Sequence, residues 1–138
     1  ALIMWAQSVT AQILASIDYP SGGNVSRGRG EVYLAGWALT CQTGQQPTQA
    51  ILYRVWLWTD GRPHTYQRWP TTVIWRLKRP DVQAVYAGYC GPLQDRFGLH
   101  IYPHDMYSDT FVWRVRFIEG PGSQDEWWSP FIGTEVVE

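Results

Sequence analysis

Residues 50–61 read AILYRVWLWTDG, and this stretch decides the fold class. Its side chains alternate between two faces, one with Ile51, Tyr53, Val55 and Leu57 and the other with Leu52, Arg54, Trp56 and Trp58. A period of two residues, rich in aromatic and β-branched side chains, predicts a β-strand over 50–59. The Asp60-Gly61 pair that follows is a strong hairpin-turn signal, so we expect a return strand over 64–69.

Further apolar runs flank this hairpin on both sides of the sequence. We expect strands over 31–39, 71–77, 97–101, 110–118 and 126–137, with the last one interrupted at Pro130. A strand over 11–19 precedes them, residues 24–30 read as a polar loop, and Pro80 begins a short helical turn. Seven or eight short strands separated by turn residues predict an all-β sandwich.

The composition is that of one ordered domain packed with aromatic residues. The chain has 138 residues, and nine Trp, eight Tyr and four Phe are among them. Charged residues make up only 17% of the chain, and the net charge is -1. A balance so close to neutrality gives no electrostatic reason to expect nucleic acid as a partner.

The two cysteines, Cys41 and Cys90, predict one disulfide. A pair of Cys in a small domain rich in Trp is typical of an oxidising compartment, so we expect a secreted or cell-surface protein. On the chain-entropy account, closing a loop of this length stabilises the fold by roughly 4 kcal/mol. The alternative is two buried free thiols.

Three short motifs resemble a bacterial immunoglobulin-like (Ig-like) module. They are Gly36-Trp37-Ala38, the Asp60-Gly61 turn, and Arg79-Pro80-Asp81-Val82. Such modules occur in secreted and cell-surface proteins, often as spacers or adhesive units. The resemblance covers about residues 18–138 and implies an Ig-like β-sandwich, but no particular activity.

Residues 1–17 carry no charge, and the first ionisable side chain is that of Asp18. We therefore divide the chain into an apolar arm, 1–17, and a sandwich domain, 18–138. The arm lacks the basic residues that open a signal peptide, so we expect it to be retained. As a helix it reaches roughly 25 Å, which is too short for a hydrocarbon core of about 30 Å, so we do not expect it to span a membrane.

An extended arm has the alternation of a strand, and it resembles the N-terminal donor strand of pilus subunits. Inserted into a neighbouring copy, it completes that copy's sheet, and repetition of the contact builds a filament or surface layer. The side chains expected to make this contact are those of Ile3, Trp5, Val9 and Ile13. The alternative is that the arm pairs within its own sandwich.

No residue pattern indicates catalysis, a metal site or a cofactor. His100 and His104 flank Pro103, which disfavours a helix, and in a strand they lie roughly 13 Å apart. Nucleophile-elbow, P-loop and dinucleotide-binding motifs are absent from the sequence. We therefore expect a protein that is not an enzyme.

The tryptophans offer a second functional hypothesis, a glycan-binding or adhesive module. Trp127 and Trp128 point to opposite faces of a strand, so one of them could form a platform for sugar rings. The alternative is that both fill the core. Asn24-Val25-Ser26 also matches the acceptor pattern for N-glycosylation, which matters only in an organism that modifies such sites.

Overall fold

A computed structural model describes residues 13–19, 24–27, 33–41, 43–91, 93–104, 112–119 and 126–136. These residues form ten strands and one helix, which confirms the all-β class. The strands are β1 (Ile13–Tyr19), β2 (Asn24–Arg27), β3 (Leu34–Thr40), β4 (Gln49–Leu57), β5 (Pro63–Trp69), β6 (Thr71–Leu77), β7 (Gly98–Pro103), β8 (Val112–Ile118), β9 (Glu126–Trp128) and β10 (Ile132–Val136). The helix, α1, spans Pro80–Cys90.

The strands form a sandwich of two sheets. The four-stranded sheet has the order β1-β3-β7-β6, and the six-stranded sheet has the order β2-β10-β8-β4-β5, with β9 also paired to β8. The count of ten exceeds the expected seven or eight for two reasons. One predicted loop is a strand, and the final predicted strand is divided in two.

The prediction of a loop over 24–30 is wrong for residues 24–27, which form β2. This strand pairs in parallel with β10, with Asn24 opposite Gly133 and Arg27 opposite Val136. The polar sequence shows no alternation, so backbone pairing with a strand more than 100 residues away decides its structure. Asn24 of the predicted glycosylation sequence is therefore the first residue of a strand.

The core lies between the two sheets, and strand β8 supplies its centre. Trp113, Val115 and Phe117 are buried along one face of β8, with Trp113 making an edge-to-face contact with Trp69 at 5.5 Å. The buried side chains of this cluster come from both sheets: Ile13, Leu34, Ala38, Leu52, Leu99, Ile101, Trp113, Val115, Phe117 and Ile132. Burial of apolar area on both inner faces stabilises the sandwich.

The predicted interruption at Pro130 is confirmed. Strands β9 and β10 both pair with β8, and Ser129 bridges the gap between them. The Ser129 N–H donates to the Val115 carbonyl at 2.8 Å, and the Val115 N–H donates to Ser129 Oγ at 2.9 Å. The buried Ser129 side chain thus replaces the strand hydrogen bond that the ladder loses beside Pro130.

The helix is longer than the short helical turn expected from Pro80 onward, and it extends to Cys90. It begins with Pro80 and packs through Val82 against Leu39 and Phe97, outside the main core. Its last residue, Cys90, is bonded to Cys41, which confirms the predicted disulfide. Tertiary packing and this covalent link extend a helix that local sequence signals start but do not sustain.

The boundary of the arm differs from the expected one. Ile13, which we assigned to the assembly contact, lies in β1 opposite Thr40 of the same chain and is only 6% exposed. Residues 13–17 therefore belong to the sandwich, and the arm is reduced to 1–12. Ile3, Trp5 and Val9 lie outside the described residues.

Candidate binding surfaces

The β4–β5 hairpin extends beyond the core, and its turn has the predicted Asp-Gly chemistry. Gly61 has a left-handed φ of 88°, which glycine adopts without steric cost. The Trp58 N–H donates to the Arg62 carbonyl at 2.8 Å. The Asp60 carboxylate accepts hydrogen bonds from the Arg62 backbone N–H at 3.0 Å and from its Nε at 2.6 Å. The predicted hairpin is therefore confirmed.

Large apolar side chains stand exposed along this hairpin. Trp56 is 42% exposed and Trp58 is 57% exposed, and Leu57 between them is also exposed. The Trp58 and His64 rings lie 4.2 Å apart, and the Arg54 guanidinium lies 4.0 Å over the Trp56 ring. We call Trp56, Leu57, Trp58 and His64 the hairpin surface. Consecutive exposed apolar side chains of this size are typical of a contact site.

The outer face of the six-stranded sheet carries a second aromatic group, centred on Trp128. The Trp128 ring stacks on Tyr53 with centroids 5.5 Å apart, and the guanidinium carbons of Arg114 and Arg116 lie 5.0 and 5.2 Å from its centroid. Trp127 points to the opposite face and stacks on Phe117. The half-buried Trp128 ring already contacts these neighbours, so the more open indoles are those of the hairpin surface.

Hydrogen bonds hold the two arginines of this group in place. Arg114 donates from Nε to the Ser129 carbonyl at 2.8 Å and from one terminal nitrogen to the Tyr66 hydroxyl at 3.0 Å. Hydrogen bonding with Tyr53 and with Glu126 raises the pKa of Arg116. A hydrogen bond with Trp128 lowers the pKa of Glu126, and the contact with Arg116 lowers it further. Arg116 and Glu126 therefore stay charged and paired at neutral pH.

The histidines considered for a metal site have separate partners. His100 Nδ1 lies 3.1 Å from the Tyr102 hydroxyl, whereas His104 Nε2 contacts Thr72 Oγ1. Within the part of the chain that the structure describes, no group of three or more His, Cys, Asp or Glu side chains could hold a metal ion. The predicted absence of a metal site stays a prediction for the whole chain.

The structure also contains a cleft that the sequence did not reveal. It has a volume of about 700 Å³ and is lined by the 43–48 loop, by Trp75 and Arg76 of β6, and by residues 93, 94, 96 and 97. We call it the loop cleft. Its residues come from three separate segments, and no spacing in the sequence brings them together. A local signal was available only for the 43–48 loop, whose composition is polar.

Comparison with protein-family models, curated proteins and solved structures finds no match for this chain. Among the described residues, no helix is both long and apolar enough to cross a membrane. The disulfide is compatible with an extracellular protein, since such bonds persist in oxidising compartments.

Proposed function

We propose that this chain is a structural subunit of an extracellular filament or surface layer, and that residues 1–12 join it to a neighbouring copy. The observation that carries this proposal is the position of Ile13. This residue is buried in its own core at the start of β1, which lies at an edge of the four-stranded sheet. The twelve uncharged residues immediately before it are thus attached to an edge strand of the sandwich.

The physical reason for assembly is the cost of leaving this arm in water. Fully extended, residues 1–12 reach roughly 40 Å, and Ile3, Trp5 and Val9 lie on one face of such a strand. An apolar strand without charge or proline is prone to aggregate unless it pairs with the edge of a sheet. Insertion into another copy satisfies its backbone and buries its side chains, and a head-to-tail contact continues into a filament.

The proposed role is mechanical rather than catalytic, and it is set outside the cell. The Cys41–Cys90 disulfide supports an oxidising environment, in which such a bond persists. It also ties α1 to the end of β3, so a subunit under load retains this connection. No cofactor enters the proposal.

Deletion of residues 1–12 tests this proposal. We expect the shortened chain to keep its β-sheet circular dichroism and to sediment as a monomer, whereas the full chain forms assemblies visible by electron microscopy. In the full chain, Val9→Arg places a charge on the expected contact face. Ser8→Arg adds the same charge on the other face of the strand and is the matched control.

We expect Val9→Arg to abolish assembly and Ser8→Arg to reduce it much less. Assemblies of unchanged form from the chain without residues 1–12 would show that the arm is not the joining element. Equal effects of the two arginine variants would argue against a strand with one contact face.

The hairpin surface favours a second candidate, a glycan-binding or adhesive module. The exposed Trp56 and Trp58 indoles can stack on the apolar faces of sugar rings. We expect Trp56→Ala and Trp58→Ala to weaken binding on a glycan panel, while Tyr19→Ala, which removes an equally exposed ring from the other sheet, does not. Absence of binding to every glycan of the panel removes this candidate.

A further inference from the structure

The loop cleft contains two arginines that lack a carboxylate partner among the residues that the structure describes. Arg76 and Arg96 are exposed, and neither forms an ion pair with any described residue. No carboxylate is present among the described residues that line the cleft. Arg62, Arg79 and Arg116, which form ion pairs with other described residues, lie outside the cleft. Two arginines that line one concavity, with no carboxylate among its other described lining residues, favour the binding of an anion there.

The backbone at Arg76 is held in a conformation that arginine rarely adopts. Its φ is 62°, in the left-handed region, and the pairing of β6 with β7 shifts register between Ile74 and Leu77. The Arg76 N–H donates to Gln46 Oε1 at 2.9 Å, and Gln46 Nε2 donates to the Gly98 carbonyl at 3.1 Å. A non-glycine residue kept in this region is strained, and such strain is concentrated at functional sites.

The remaining walls of the cleft are also fixed. The Thr40 N–H donates to the Gln45 carbonyl at 2.7 Å, and the Gly44 N–H donates to the Thr40 carbonyl at 2.9 Å. On the opposite wall, Gln83 Nε2 donates to the Leu93 carbonyl at 2.8 Å. The Cys41–Cys90 disulfide joins the chain segments that carry these two walls. A preformed cleft loses little conformational entropy on binding a ligand.

We propose that the loop cleft binds an acidic saccharide, a sugar that carries carboxylate or sulfate groups. Arg76 and Arg96 supply paired donors for the oxyanion, because a guanidinium binds both groups in a bidentate manner. The exposed side-chain amides of Gln45 and Gln94 make no hydrogen bond with any described residue and can bind ring hydroxyls. The half-buried Trp75 offers an indole at the same site. The cleft volume lies in the range of small-ligand sites.

This proposal extends beyond the assembly role and does not depend on residues 1–12. If the chain binds the saccharide but does not assemble, only the assembly proposal is refuted. If it assembles but does not bind the saccharide, only the proposal for the cleft is refuted. It also differs from the glycan platform of the hairpin surface, because Trp56 and Trp58 do not line the cleft.

Isothermal titration of the full chain tests the proposal with three probes of equal length. These are tetragalacturonic acid, a heparin-derived tetrasaccharide, and the neutral maltotetraose. We expect at least one acidic probe to bind and maltotetraose to bind much more weakly. Arg96→Gln and Arg76→Asn should each weaken binding about tenfold, the effect of losing one charged hydrogen-bonding group. Asparagine is chosen at position 76 because it tolerates the left-handed conformation.

Arg68→Gln is the matched control, since it removes one exposed arginine of β5 outside the cleft. We expect it to change the affinity by less than about twofold, because a distant exposed charge is largely screened by salt. In nuclear magnetic resonance spectra, the acidic probe should shift the Trp75 indole N–H and the Gln45 and Gln94 amide signals. This mapping on the unmodified chain keeps the test decisive if Arg76→Asn does not fold.

Four results would overturn the proposal. The first is no binding of either acidic tetrasaccharide, and the second is equal binding of maltotetraose. The third is an equal loss of affinity in Arg68→Gln and Arg96→Gln, which indicates diffuse charge attraction rather than a site. A single-stranded oligonucleotide that binds in the cleft as tightly as the saccharides would equally refute the assignment to a sugar.

Discussion

The two ends of strand β4 differ in how the protein supports them. The strand is nine residues long, so its ends lie roughly 25–30 Å apart. Before its first residue, the 43–48 loop is held by the Thr40–Gln45 hydrogen bond, and the Thr48 N–H donates to the Ile118 carbonyl at 3.1 Å. At its other end, Trp56 and Leu57 of the strand and Trp58 just after it are exposed.

The same strand therefore contributes to two different kinds of surface, one at each end. At its start, neighbouring elements form a polar concavity whose walls are fixed before any ligand arrives. At its end, β5 is the last strand on that side of the six-stranded sheet, as far as the described residues go. An edge strand with exposed aromatics suits contact with a large partner, whereas a fixed polar cleft suits a small ligand.

Removal of the disulfide should cause the largest loss of stability and should affect the two ends of β4 unequally. For Cys41→Ala combined with Cys90→Ala, we expect the free energy of unfolding to fall by about 4 kcal/mol, as loop-closure entropy predicts for a separation of 49 residues. Amide hydrogen exchange should accelerate for 43–48 more than for the hairpin turn, because the disulfide supports only the loop. Equal acceleration at both ends, under conditions where the variant stays folded, would contradict the distinction.

Truncations within β4 should have the next largest effect. Leu52 is 1% exposed and lies opposite Val115 in the core, so Leu52→Ala should lower the free energy of unfolding by about 3 kcal/mol. Trp56→Ala removes a larger side chain that is already half in water, and we expect a loss of about 1 kcal/mol, which includes its contact with Arg54. Urea unfolding measures both values. A Trp56→Ala loss as large as that of Leu52→Ala would mean that the hairpin is part of the core.

The smallest effect on stability is expected from the ion pairs of Arg79, the residue immediately before α1. The two-pronged hydrogen bond from Arg79, at 2.9 and 2.8 Å, lowers the pKa of Asp81 from 3.8 to about 2. A lowered folded-state pKa stabilises the fold above the unfolded value, and this contribution disappears as the pH falls through about 2. The melting temperature of Asp81→Asn should therefore lie slightly below that of the unmodified chain at pH 7.

This difference in melting temperature should shrink between pH 4 and pH 2, roughly the interval between the two pKa values. Asp60→Asn removes a carboxylate from the turn of the β4–β5 hairpin and controls for the change in net charge. A difference that stays constant down to pH 2 would show that the Arg79–Asp81 pair does not cause it.

The parts of the fold that could be predicted from the sequence are those with local causes. The hairpin was predictable because alternation and the Asp60-Gly61 turn lie within a dozen residues. The break at Pro130 follows from the missing backbone N–H of proline. The Gly-Trp-Ala motif contains Gly36, but the sequence does not show why a glycine is required there. A side chain there would overlap the backbone oxygen of Ser16 in β1.

The loop cleft and the true extent of the strands could not be predicted in this way. The parallel pairing of β2 with β10 joins distant polar segments that carry no alternation. Arg76 reads as one more residue of an apolar strand, and only the register shift gives it a left-handed backbone and a place in the cleft. Trp127 and Trp128 were rightly assigned to opposite faces, yet their surroundings depend on Phe117 and Tyr53 from other strands.

The sequence by itself determined the all-β class, the main hairpin, the disulfide and the uncharged character of residues 1–12, because each depends on composition or on neighbours along the chain. Only the tertiary structure decided that Ile13 belongs to the core, that residues 24–27 form a strand, and that two arginines share a cleft. These features come from contacts between segments far apart in sequence. Such contacts form only when burial of the common core brings the two sheets together.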